Sequence, residues 1–194
     1  MTRSSFSLSV LVSLALAAAA PVLVSACTPS RAAASRPSDD DLRALQSAHA
    51  VELEELRDAM VAEPSIDVLG DDHVGDCWKE GASWSCGSSG TLVVEDEMLT
   101  HVGLTKERHA RLTELLQHIG ASRVTRGADG EVSVIVYRAG IVTSPRTKGL
   151  VWHPERAPSP LVADTDEGRP ARYATSYAHG APASTGWFVE HTGD

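Results

Sequence analysis

TKERHARLTELLQHIGASRVTRGADGEVSVIVY, residues 105–137, changes its hydrophobic period part-way along, and that change decides the fold class. In the first half Leu112, Leu115, Leu116 and Ile119 recur at helical spacing. Thr105 stands where an N-cap hydroxyl belongs, and Gly120 where a left-handed C-cap belongs. The spacing predicts a helix over 106–119. Beyond Gly120 the period falls to two: Val132, Val134 and Val136 alternate with Ser133, Ile135 and Tyr137. Val124 precedes the turn RGADG, so two strands joined by a Gly-Asp-Gly-like turn form a hairpin.

Downstream, further strands are predicted at 140–143, 148–153, 172–178 and 185–191. PERAPSPLVADTDEGRPA (154–171) reads as a long, proline-rich, mobile surface connection. Upstream, Ser38 is a good N-cap followed by Asp39, Asp40 and Asp41, which suit the positive end of a helix. Leu42, Leu45, Leu53, Leu56 and Met60 keep helical spacing apart from a gap at Ala48–His49. They predict one helix over about 39–62, ended by Pro64, either packed on the core or standing as a stalk. Short strands are expected at 66–69 and 91–94. Helices first and consecutive strands later give an α+β class, two main helices on a mostly antiparallel sheet.

The chain's other end carries an address. Arg3 is the single charge before an apolar or small stretch from Phe6 to Val24, the pattern of an export signal. Val24-Ser25-Ala26-Cys27 follows and resembles the lipobox of bacterial lipoproteins. The resemblance implies cleavage before Cys27, acylation of its thiol and a membrane-held protein in the cell envelope. A retained membrane helix or an ordinary secretory signal are the competing readings. Residues 1–26 are then the signal, 27–38 the lipidated cysteine with a flexible tether, and 39–194 one domain. Eleven flexible residues reach about 20 Å. Thr28 is not the aspartate that resembles an inner-membrane retention signal, so sorting to an outer membrane is allowed.

Removing 1–26 takes away one cation and no acid, moving the net charge from −9 to −10. So negative a surface repels phosphate backbones, which argues against nucleic acid as a partner. With Cys27 assigned to lipid, Cys77 and Cys86 remain as a pair, and export favours a disulfide between them. A metal site made with His73 is the alternative, against which stands the lack of a Cys-x-x-Cys knuckle. Between the cysteines lie Trp78 and Trp84. They are either a recognition element on a stiffened loop or lids folded onto the core. Trp152 and Trp187 are expected in the core.

Other polar clusters carry weaker chemistry. Asp71, Asp72, His73 and Asp76 lack the spacing of an EF-hand and read as a solvated acidic turn. His101, His109 and His118 bracket the second helix without the i, i+4 pair of a helical metal site, His109 on its wet face. SPRTKG (144–149) lacks the frame of a phosphate loop, and Ser176 with His179 or His153 has no Gly-x-Ser-x-Gly elbow. No cofactor motif is present. From about Leu104 to Glu190, the segments LTELLQHIGASRVTR, IVTSPRTKGLVW, SPLVAD and GWFVEH resemble a pattern in uncharacterised bacterial proteins, which implies one folded unit and no activity. The expectation for function is a non-enzymatic, envelope-tethered module binding an unknown envelope protein or component. An envelope hydrolase with an unfamiliar site is the alternative.

Overall fold

The computed structural model describes residues 35–63, 65–140, 146–155, 157–167, 174–181 and 185–193. Cys27 and the apolar run before it lie outside the described residues, as do Ser144 and Pro145. The described residues form an α+β unit built on a ten-stranded antiparallel sheet. In chain order the elements are α1 (Asp39–Ala48), α2 (Ala50–Ala62), β1 (Val68–Gly70), β2 (His73–Val74), β3 (Cys77–Glu80), β4 (Ser83–Cys86) and β5 (Thr91–Val93). There follow α3 (Glu95–Val102), α4 (Lys106–Ile119), β6 (Arg123–Arg126), β7 (Val132–Ala139), β8 (Arg146–Trp152), β9 (Thr175–His179) and β10 (Trp187–Thr192). The sheet runs β5-β4-β3-β2-β1-β6-β7-β8-β10-β9.

The predicted helix over 106–119 is α4, with the Thr105 hydroxyl accepting from Arg108 N and Gly120 left-handed at φ 77°. Ser38 caps α1 in a capping box with Asp41. Two departures stand out. The helix expected over 39–62 is broken at His49, where φ is −120° and ψ 31°. An additional helix, α3, occupies Glu95–Val102; its first turn is acidic and its left-handed Gly103 ends it.

All four helices pack on one face of the sheet, and strand parity follows from that. Leu53, Leu56, Leu112, Leu115 and Leu116 meet Val124, Val132, Val134, Leu150 and Val189 in one core. The outer face carries the opposite parity: Trp78, Arg123, Ile135, Tyr177 and Glu190. Trp187 is buried and donates its indole N–H to Glu54 Oε1 at 2.8 Å, while Trp152 is half-buried with the Arg57 guanidinium over its ring. At Gly149 a side chain would run into the carbonyl oxygen of Val134, beside a bulge between Ile135 and Tyr137. Among the described residues no helix is long and apolar enough to cross a membrane.

The connection expected to be mobile is partly tied down. Leu161 bridges Tyr177 in parallel, and Val162 N donates to the Tyr177 carbonyl at 2.7 Å. Four residues on, Thr165 and Asp166 reach the start of α1.

Candidate functional site

Cys77 and Cys86 are directly paired residues of β3 and β4 and are joined by a disulfide, S–S 2.04 Å. The bond points to the core side, against α3. Trp84 has the same parity as Cys86 and is buried, with the Lys79 ammonium 5.6 Å from its ring centre. Trp78 has the other parity and stands on the outer face, 49% exposed. Of the two candidate tryptophans, only Trp78 is placed to meet a partner. An indole buried as Trp84 is contributes to stability instead.

Trp78 is held in a fixed posture. Its ring stacks on the His73 imidazole, centres 3.5 Å apart and planes 19° from parallel. His73 is its cross-strand partner in β2. Burial, with the nearby Arg123 cation, pulls the His73 pKa below its ordinary value, so the stacked imidazole is neutral at pH 7. The Arg123 guanidinium lies 5.8 Å from the Trp78 ring centre and is anchored by Asp72 at 2.6 Å. Across the ribbon the register runs Trp78 to Ser85 to Leu92, and Leu92 is also exposed on this face. The result is a flat apolar surface edged by an Arg–Asp pair, set on antiparallel strands and cross-linked on its far side. Such a surface offers aromatic and aliphatic contact area, with the Ser85 hydroxyl and the His73 imidazole as its polar groups.

The remaining candidates separate. Asp72 goes to Arg123 and Asp76 to His101 at 2.9 Å, so the acidic turn does not gather around one point. His101, His109 and His118 face three different carboxylates, those of Asp76, Glu95 and Glu52. Ser176 pairs with His191, on the core parity of β9, whereas His179 takes the outer parity and the His153 ring meets Tyr177 there. That arrangement rules out a Ser176 triad with either. His109 is half-buried instead of wet. It lines an open groove of about 560 Å³ between α3 and α4, with Glu95, Lys106 and Glu114 also on its walls. Burial lowers its pKa, partly offset by Glu95, whose Oε1 lies 3.7 Å from Nδ1.

Comparison with protein-family models, curated proteins and solved structures finds no match to this chain.

One group of residues escaped the sequence reading. Lys148 is fully buried, its Nζ 2.7 Å from Asp39 Oδ1 and 2.6 Å from Asp166 Oδ1. Thr165 N donates to Asp39 Oδ2 at 2.7 Å, and the Thr165 carbonyl meets His191 Nδ1 at 3.2 Å. Arg36 contacts both Asp166 and His191, at 3.1 and 3.3 Å, so the domain's ties begin before α1. Parity was the available signal: Lys148 alternates in step with Leu150 and Trp152. Every cation here is matched by a carboxylate, and the network reads as a fastening of α1 to β8, β10 and the 157–167 segment.

Proposed function

We propose that this chain is the precursor of a lipoprotein, held to an envelope membrane by lipid on Cys27. In this reading its folded domain is a non-enzymatic binding module. Support for the anchor comes from Arg3, the uncharged run from Phe6 to Val24 and the residues Val24-Ser25-Ala26-Cys27. A disulfide between Cys77 and Cys86 fits the same reading, because such bonds persist outside the reducing cytoplasm.

One observation carries the binding role: Trp78 stands half-exposed on the outer face, stacked on His73 and backed by a cross-linked ribbon. A large aromatic that is already immobilised loses little entropy when a partner covers it. The partner is an envelope protein or component, and charge disfavours nucleic acid. The test is affinity capture of the full chain from its own membranes, followed by mass spectrometry, with Trp78→Ala beside the wild type. A partner retained by the wild type and lost from Trp78→Ala is the expected result. An identical set of partners for the two proteins removes Trp78 from the binding face.

A second reading, an envelope hydrolase, is favoured by the groove between α3 and α4, where a neutral His109 sits beside Glu95. Hydrolysis of ester or peptide substrates that is lost in His109→Gln would support it over the first.

A further inference from the structure

We infer that His49, Glu52 and His118 form a binding site for a divalent cation of the zinc class. One ligand atom from each lies within 4.8 Å of the others. His118 Nδ1 is 3.3 Å from Glu52 Oε1, and His49 Nδ1 is 3.9 Å from the same oxygen. Ligand atoms on the edges of a tetrahedral zinc site stand about 3.3–3.4 Å apart, given bonds of about 2.0–2.1 Å. Small side-chain rotations close the difference. Two imidazoles and one carboxylate suit zinc and its neighbours better than calcium or magnesium, which take oxygen ligands.

Two further observations point to a ligand. His49 Nδ1 is buried and has no hydrogen-bond partner among the described residues, although the two imidazole rings lie only 5.2 Å apart. A pairing of Glu52 with His118 alone would leave that nitrogen unsatisfied, a condition that native structures rarely tolerate. The second is the break between α1 and α2. The local sequence SAHAVE holds neither glycine nor proline, yet the chain leaves helical geometry at His49. The break sets His49 one helical turn before Glu52 and against the last turn of α4, which carries His118. A cation there lies near the negative ends of α1 and α4 and also at the positive start of α2, so the three ligand side chains, and not the helix ends, have to hold it. His118 is two-thirds exposed, so solvent can complete the coordination from that side. The ion would pin the α1–α2 corner to the end of α4.

The site is independent of binding at Trp78, and its test is metal binding by the full chain in detergent. Calorimetric titration with Zn²⁺ should show one equivalent bound per chain, and Co²⁺ should give the visible bands of a tetrahedral site. His118→Gln and Glu52→Gln should each weaken Zn²⁺ binding by about tenfold or more, at unchanged circular dichroism. Added Zn²⁺ should raise the melting temperature of the wild type and not that of His118→Gln. Should either variant fail to fold, the other decides. Absence of saturable Zn²⁺ binding, or binding by the folded variants equal to that of the wild type, overturns the assignment.

Discussion

Lys148 Nζ lies 2.7 Å from Asp39 Oδ1, and neither side chain reaches solvent. Asp39 is the first residue of α1 and Lys148 is mid-strand in β8, so the pair ties the start of the helical layer to the sheet. Removing one member leaves the other as a buried, uncompensated charge, and that costs more than the pair itself contributes. Lys148→Met should lower the unfolding free energy by about 3–5 kcal/mol in urea titration. A loss below about 1 kcal/mol would mean that the carboxylates find other partners or water.

The same pair makes acid unfolding specific. Burial pushes the Asp39 carboxyl up, but hydrogen bonds from Lys148 and Thr165 outweigh it and hold the pKa below the ordinary carboxylate value. A group depressed in the fold contributes stability above its unfolded pKa, about 3.9, and loses it as pH falls through the folded value. Stability measured down from pH 5 should therefore fall, and Lys148→Met should flatten that fall. Equal acid slopes in the two proteins would place the responsible carboxylates elsewhere.

Trp78 and Trp84 sit six residues apart on opposite faces of one ribbon, and their truncations should differ accordingly. Trp84→Ala opens a cavity beside the disulfide and should cost about 3–5 kcal/mol. Trp78→Ala removes a half-exposed ring and its His73 stack, worth about 0.5–1.5 kcal/mol. Thermal melts of the two variants check this. Equal losses would mean that Trp78 is structural after all.

The period change after Gly120 placed α4 and the hairpin β6–β7, because those elements are governed by local caps and by a single buried face. Ser38 and Thr105 were legible for the same reason. The break at His49 showed only as the gap at Ala48–His49 in the apolar spacing, because SAHAVE holds neither glycine nor proline to end a helix. The helix α3 was hidden in EDEMLTHV, whose eight residues give too short a window for a period to show. Of the site, the Cys77–Cys86 bond followed from counting, and the choice between Trp78 and Trp84 needed the register. Lys148, Asp39 and Asp166 are distant in sequence, and no spacing brings them together.

The Cys77–Cys86 bond closes a short loop between strands already paired. On the chain-entropy model it should contribute about 2–3 kcal/mol, lost on reduction or in Cys77→Ser with Cys86→Ser. Intact mass before and after reduction and alkylation checks the bond itself. Two free thiols in the unreduced protein would be the contrary outcome.

Glu190 carries the opposite pH dependence to Asp39. It lies on the outer face, where it accepts from Ser133 Oγ at 2.9 Å. Burial raises its pKa; the Ser133 hydrogen bond opposes the rise and nearby Glu131 adds to it. Tyr177, opposite it in β9, is pushed up to about 12 by burial and by the same two carboxylates. A carboxyl raised in the fold holds its proton more tightly than in the unfolded chain. Its contribution is then fully present below the unfolded pKa, about 4.3, and is lost as pH rises through the folded value. At pH 7 the acid carries a net cost, either of a buried charge or of a proton that the unfolded chain has released, and a neutral amide of the same shape avoids both. Glu190→Gln should therefore melt higher than the wild type at pH 7, and the two should converge near pH 4. The Ser133 hydroxyl can donate to the amide oxygen as it does to the carboxylate, so the substitution keeps that bond. Parallel thermal melts at the two pH values decide it. A variant less stable at pH 7 would show that the Glu190 charge is stabilised by groups outside the described residues.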